Sequence, residues 1–332
     1  MRAEEQSKIR EAAAGTIFLL IGTVCFASKS IWIKWAYQMG AEPDAVLLYR
    51  QLLAVPLFWL IFLIYRPPMP DGKKKGDLWK ACGAGVFCFF LSPLLDFIGL
   101  NHVSAMVERI LLMSYPLFVF GFTACRDRKM SSIQDLFAVL AVMFGLFLAL
   151  GGWNAELFQA NMIGAVFILL SSAVYAGYLV LSGHLVHQIG GIRLNAYGMT
   201  AAGAAMMLYT GIKSAAGMNT PMAAYPLSMY GLFAVIAVVT TVIPFVLMLE
   251  GIKRIGAQRA AAISMAGPIL TIFYGALFLG ERLGLIQVIG CGAVFFVITG
   301  MEYRKLKIGK KNNFYKTHTF FNYNKCNYVC VF

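Results

Sequence analysis

Ten long apolar runs constrain this chain more than any other feature. They cover residues 14–36, 44–65, 80–100, 103–124, 134–152, 161–183, 195–217, 228–251, 257–279 and 283–301. A helix of about 20 apolar residues spans the hydrocarbon core of a bilayer. No water is present there to satisfy backbone groups, so an unbroken run of this kind must be a helix, whose hydrogen bonds are internal. The expected fold class is an all-α membrane protein with ten transmembrane helices. The 332 residues then leave room only for short loops, an N-terminal tail (1–13) and a basic C-terminal tail (302–332) expected to lack fixed structure. Composition agrees: 60% of residues are apolar and 13% charged, about half the charge of a soluble domain. These figures exclude a large soluble domain, a disordered chain and a disulfide scaffold.

The formal net charge of +13 looks like an affinity for nucleic acid, but the basic residues sit in connections and not along a helix face. In a membrane protein that pattern sets orientation. With the N-terminus inside, 22 Lys and Arg fall in cytoplasmic connections and tails, against two outside, Lys213 and Arg282. The expected location is the cytoplasmic (plasma or inner) membrane with both termini cytoplasmic. The lipid bilayer is then a partner and nucleic acid is not. The start MRAEEQSKIREAAAG is of mixed charge and the apolar run after it is too long for a signal-peptide core, so the first run is retained as a helix. The seven Cys and four His lack metal-ligand spacing, so neither metal nor cofactor is expected. From Lys310 the tail turns rich in Lys, Asn, Phe and Tyr. It reads as sequence under low selection or as a basic segment near anionic lipid.

The two halves of the chain are alike. FIGLNHVSAMVERILLMSYPLFV around the fourth run aligns with LEGIKRIGAQRAAAISMAGPILT around the ninth at a shift of 152, which superposes Gly99 on Gly251, Ala105 on Ala257 and Pro116 on Pro268. A shift of 149 aligns Gly15 with Gly164 and Ala27 with Ala176, and Pro93 matches Pro244 at 151. Each repeat (14–152 and 161–301) holds five helices, an odd number, so the second is expected to cross the membrane in the opposite sense. The charges agree: the loop with Asn101 and His102 has no Lys or Arg, whereas its counterpart carries Lys253 and Arg254. Inverted halves can exchange conformations and open a central site to either side in turn. Pro116 and Pro268 lie mid-run and free the carbonyls of Leu112 and Ser264 from their helix partners. Their matched places mark them as kinks in a transport path, although Pro is common in membrane helices generally.

The segment EGIKRIGAQRAAAISMAGPILTIFYGALFLGERL (250–283) resembles the signature region of the EamA-type drug/metabolite transporters. That region has a small-residue helix, here with Gly256 and Ala257, a central proline, here Pro268, and a terminal Gly-Glu, here Gly280 and Glu281. Residues 96–119 follow the same pattern, but CRDR stands where the Gly-Glu ending belongs. The resemblance covers about residues 14–301. It implies a secondary carrier of two inverted five-helix repeats and leaves the substrate open, since similar proteins move amino acids, metabolites, sugars and drugs.

A charge in the hydrocarbon core costs about 2.5–3.5 kcal/mol on insertion scales, so each one needs a partner or a task. Lys29, Arg50, Asp96, Glu108 and Arg109 come from four helices of the first repeat. They fall in one layer, roughly 6–11 Å below the outer interface at 1.5 Å per residue. The second repeat carries Tyr178, Met199, Met248, Ala260 and Ala261 near the matching places. Three cations face two anions. If Asp96 and Glu108 each neutralise one base, one cation is left, which an anionic group on a substrate would compensate. The expected substrate is a small molecule with a carboxylate or another anion, bound near Lys29, Arg50 or Arg109. Tyr115 or Tyr178 would supply a hydroxyl or an apolar wall. The alternative is that these residues are structural pairs locking the helices together. Asp96 and Glu108 are also candidate carriers of a coupling proton. Small multidrug exporters of related architecture keep an acid in their first helix; this one has Lys29 instead, which argues against export of lipophilic cations.

The expected function is secondary transport, by alternating access, of a small anionic or zwitterionic metabolite such as an amino acid. No Gly-x-x-x-x-Gly-Lys-Ser/Thr loop is present, so direct ATP use is not expected. No nucleophile–base pair or zinc motif marks an enzyme. A receptor or scaffold without flux and a drug exporter are the alternatives, and a homodimer is compatible with these features.

Overall fold

The computed structural model of the chain describes residues 2–66, 76–115, 117–119, 121–122, 133–217, 225–255, 263, 266–297 and 299–300. Among these residues all regular structure is helical. The helices are α1 (Arg2–Ala27), α2 (Lys29–Gln38), α3 (Pro43–Tyr65), α4 (Gly76–Gly85), α5 (Ser92–Leu100), α6 (Ala105–Leu112), α7 (Ile133–Ala149), α8 (Ala155–Ile189), α9 (Gly191–Ala215), α10 (Leu227–Ala237), α11 (Ile243–Ile255), α12 (Gly267–Phe278) and α13 (Leu285–Val297). Two π-helical segments, Val86–Leu91 and Val238–Val242, join α4 to α5 and α10 to α11. Five continuous segments of the described residues are long and apolar enough to cross a membrane: Ala13–Gln38, Pro43–Tyr65, Leu78–Leu100, Ala155–Leu181 and Leu227–Ile252. Leu140–Ala149, α12 and α13 are shorter apolar helices. The fourth expected run begins as α6, and the seventh is α9, 25 residues long and interrupted in its hydropathy by Gly, Thr and Tyr. The C-terminal tail and Pro116 lie outside the described residues.

The helix breaks have chemical causes. Pro93 has no N–H and crowds the carbonyl four residues back, that of Phe89. The chain widens there into a π-turn, and the freed Phe89 carbonyl accepts a 2.5 Å hydrogen bond from Gln51 Nε2. Pro244 follows the second π-segment as Pro93 follows the first, so the backbone irregularity repeats along with the sequence. The first membrane segment breaks at Ser28, between α1 and α2. There the Ala27 carbonyl accepts from Thr271 Oγ1 of α12 at 3.0 Å. At the end of α6, Ser172 Oγ reaches the carbonyls of Leu111 and Leu112 at 3.4 and 3.3 Å, and Leu112 is the residue expected to lose its partner to Pro116. Pro268 lies in the first turn of α12, where a missing N–H costs nothing. It opens a helix, and the expected kink around Ser264 falls outside the described residues.

Packing repeats too. Gly15 of α1 crosses Gly251 of α11, and Gly164 of α8 crosses Gly99 of α5. A Cβ on Gly251 would stand 2.9 Å from the Gly15 carbonyl oxygen, and one on Gly99 or on Gly164 2.8 Å from the other's. These four glycines are two repeat-related pairs: the first helix of each half packs on the third helix of the other. Small residues let helix backbones approach closely, the main source of helix affinity in lipid. Polar ties gather at the two ends. At one, Lys213 Nζ pairs with Asp44 at 2.5 Å and Glu42 at 3.6 Å. At the other, Tyr65 Oη donates to Glu250 at 3.1 Å and the Arg254 guanidinium lies 4.5 Å from the Phe18 ring centre.

Candidate functional site

The break at Ser28 places Lys29 at the start of α2, inside the bundle and 8% exposed. Its ammonium donates to Asp96 Oδ2 of α5 at 2.6 Å and lies 3.3 Å from Glu108 Oε1 of α6. Glu108, fully buried, also accepts from Ser30 Oγ at 2.7 Å. One lysine therefore holds both acids, and three elements of the first repeat meet at its ammonium. The equal sharing of acids among bases expected from the sequence does not occur.

Among the described residues neither arginine of the layer has a carboxylate at salt-bridge distance. Arg50 of α3 is 7% exposed, and its Nε has no hydrogen-bond partner among the described residues. Its guanidinium lies 5.1 Å from the Phe97 ring centre, and the Lys29 ammonium lies 5.8 Å from the same centre. Arg109 lies 5.2 Å from the Phe26 ring centre, again with a buried, unpartnered Nε. It reaches into the second repeat: a Cβ on Gly267 would stand 2.7 Å from Arg109 Nη2. Ring faces attract cations by about 0.5–2 kcal/mol, less than burial of an unpaired guanidinium costs. Asp96 Oδ1 and Glu108 Oε1 are likewise buried without a hydrogen bond.

Tyr115 and Tyr178 belong to one aromatic group through a residue the sequence reading did not single out. Tyr175 packs edge-on against Tyr115 at 5.5 Å and stacks on Tyr178 at 6.1 Å. The spacing of Tyr175 and Tyr178 along one helix face was the available signal. Phe26, Phe97, Ser30 and Gln51 also escaped the sequence reading, since apolar and small polar residues in a membrane run do not stand out. Tyr37 Oη donates to the Phe97 carbonyl at 2.8 Å. Among the described residues no cluster of three or more His, Cys, Asp or Glu could hold a metal ion.

Comparison with known proteins accords with this architecture. The EamA-like transporter family matches residues 13–151 and 162–302, one match per repeat. "Uncharacterized transporter YcbK" of Bacillus subtilis (strain 168) is 99% identical over 311 residues, which cover 94% of this chain and all of that protein. "Uncharacterized transporter sll1319" of Synechocystis sp. is 25% identical over 315 residues, 88% of this chain and 94% of that one. A solved structure titled "Crystal structure of protein" shares the fold with a TM-score of 0.58 at 14% identity, covering 89% of this chain and 99% of its own. Two family-matched halves, helices fit to cross a bilayer and repeat-related crossings lead to one assignment: the chain belongs to the EamA-like transporter family and is a multi-pass membrane transporter of the drug/metabolite type.

Proposed function

We propose that this transporter is a secondary carrier of a small anionic or zwitterionic metabolite. It works by alternating access between two inverted halves of five membrane helices each, in the cytoplasmic membrane with both termini inside. The observation that carries the reading is the pairing in the charged layer. Lys29 occupies both acids, so among the described residues Arg50 and Arg109 are two buried guanidiniums with no carboxylate at salt-bridge distance. An uncompensated buried cation is costly, and a carboxylate or similar group arriving with the substrate removes that cost. Arg50, Arg109 and the Tyr115–Tyr175–Tyr178 group are the assigned binding elements. Lys29, Asp96 and Glu108 are the frame that holds three helices in register around them. The swapped glycine crossings support the inverted arrangement, because each half grips the other through equivalent helices.

The test is counterflow in proteoliposomes with amino acids, organic acids and nucleosides, at several external pH values. An anionic or zwitterionic substrate should exchange in the wild type, and Arg50→Gln and Arg109→Gln should each reduce exchange at least about tenfold, the loss expected for one charged contact. Binding without counterflow would instead make the protein a receptor, and preferred movement of lipophilic cations would make it a drug exporter. Exchange that rises with an imposed proton gradient would add a coupling proton at Asp96 or Glu108.

A further inference from the structure

The Gly-Glu ending of the second repeat has no part in the charged layer, yet its side chain reaches across the molecule. Glu281, in the turn after α12, accepts from the backbone N–H of Ala105 through Oε1 at 2.8 Å and of Met106 through Oε2 at 3.2 Å. Ser104 Oγ takes the next N–H, that of Val107, at 3.2 Å, and the Ser104 carbonyl takes that of Glu108 at 2.9 Å. The N–H groups of the first three residues of α6 are thereby satisfied, two of them by a residue 176 and 175 positions away. Helix caps ordinarily come from the same stretch of chain. The turn is built for this reach. Gly280 has φ +63°, a conformation open to Gly, and Glu281 N–H bonds back to the Gly275 carbonyl at 3.1 Å. Gly275 must lack a side chain, since a Cβ would stand 2.9 Å from both Glu281 Oε2 and Met106 Cγ.

We propose that Glu281 is a positioning residue that latches the two repeats at this end of the transport path, so that each cycle breaks and remakes its grip on α6. The helix it holds carries Glu108 and Arg109 in its next turn, so the latch also sets the depth of two charges of the layer. The contact joins the fourth and ninth expected membrane helices, the repeat-related pair that has to part at one end for a central site to open. By the charge count this is the outer end. A carboxylate at a helix N-terminus is stabilised by the helix dipole while in place and is readily rehydrated once the helices separate. The inference rests on the alternating-access reading.

The experiment places a reporter cysteine at Ala105, which is fully buried, in a background whose seven native cysteines are replaced and which retains counterflow. Labelling by a membrane-impermeant maleimide is compared among this parent and its Glu281→Gln, Glu281→Ala and Gly275→Ala derivatives, alongside exchange kinetics. Labelling should accelerate about five- to tenfold in Glu281→Ala and Gly275→Ala, the shift that loss of a charged cap produces. Glu281→Gln, which keeps the length and one acceptor, should fall between them and the parent. Turnover at saturating substrate should drop by a similar factor while KM holds. Unchanged labelling in both derivatives, with parent flux intact, would overturn the latch and leave the carrier reading standing. Faster labelling with unchanged turnover would reduce Glu281 to a structural cap and also overturn it. Absence of any flux in the wild-type chain would remove the carrier reading and the latch together.

Discussion

At the residue scale, the proposed division of the charged layer into a frame and a site predicts that the two fail differently. Lys29 is bonded to Asp96 and paired with Glu108. Lys29→Ala strands two buried carboxylates, and breaking a buried pair costs about 3–5 kcal/mol. The expected outcome is poor yield or a markedly lower unfolding temperature in detergent, with transport lost as a consequence. Arg50 and Arg109 form no salt bridge among the described residues, so Arg50→Gln and Arg109→Gln remove a charge that no carboxylate contacts. Unfolding temperatures should hold or rise while exchange collapses. Matching destabilisation in all three variants would make the whole layer structural. The layer itself was legible in the sequence, because a charge inside an apolar run is conspicuous and helix rise converts position into depth. Its pairing was not. Which acid meets which base depends on side-chain direction across four helices, and the break at Ser28, which turns Lys29 toward both acids, has no marker such as Pro or Gly beside it.

At the scale of the elements, the repeat was readable as matched residues but not as matched geometry. Pro93 and Pro244 aligned in sequence, yet only the folded chain shows each preceded by a π-turn. One of the two calls on a distant side chain: Gln51 caps the carbonyl that Pro93 releases. Gln51→Leu should leave that carbonyl buried and unpaired, at a cost of about 1–3 kcal/mol, visible as a lower unfolding temperature. The glycine crossings give a test with an internal control. Gly99→Val and Gly251→Val introduce a side chain into a helix crossing on each side of the pseudo-symmetry, and should each destabilise by about 1–3 kcal/mol or more. Gly83→Ala and Gly211→Ala meet nothing within 4 Å, and should be neutral or stabilising by up to about 1 kcal/mol, since Gly is the poorer helix former. Equal effects at all four positions would mean that the crossings are not where the halves grip each other. The spacing of these glycines was visible beforehand, but their partners were not, because close approach between helices leaves no periodic trace in a run that is apolar on every side.

At the scale of the whole molecule, the proposed alternating-access cycle would be governed by the charge balance of the layer. Empty, the layer holds three cations and two anions, an excess of one positive charge. A monoanionic substrate brings it to zero, whereas a zwitterion leaves it where it was. In that cycle, moving the halves past one another would carry this layer through the lowest-dielectric part of the path, where an unpaired charge costs several kcal/mol. Return of the empty carrier is then the slow step for a monoanion, and substrate on the far side relieves it. Uptake into vesicles preloaded with the same anion is expected to exceed uptake into empty vesicles roughly tenfold or more, each factor of ten corresponding to about 1.4 kcal/mol between loaded and empty barriers. A zwitterion should show little such stimulation, because its loaded and empty layers carry equal charge. The comparison therefore reads the substrate's net charge from kinetics alone. Equal uptake with and without an internal anion would mean that the excess charge is compensated by something other than substrate.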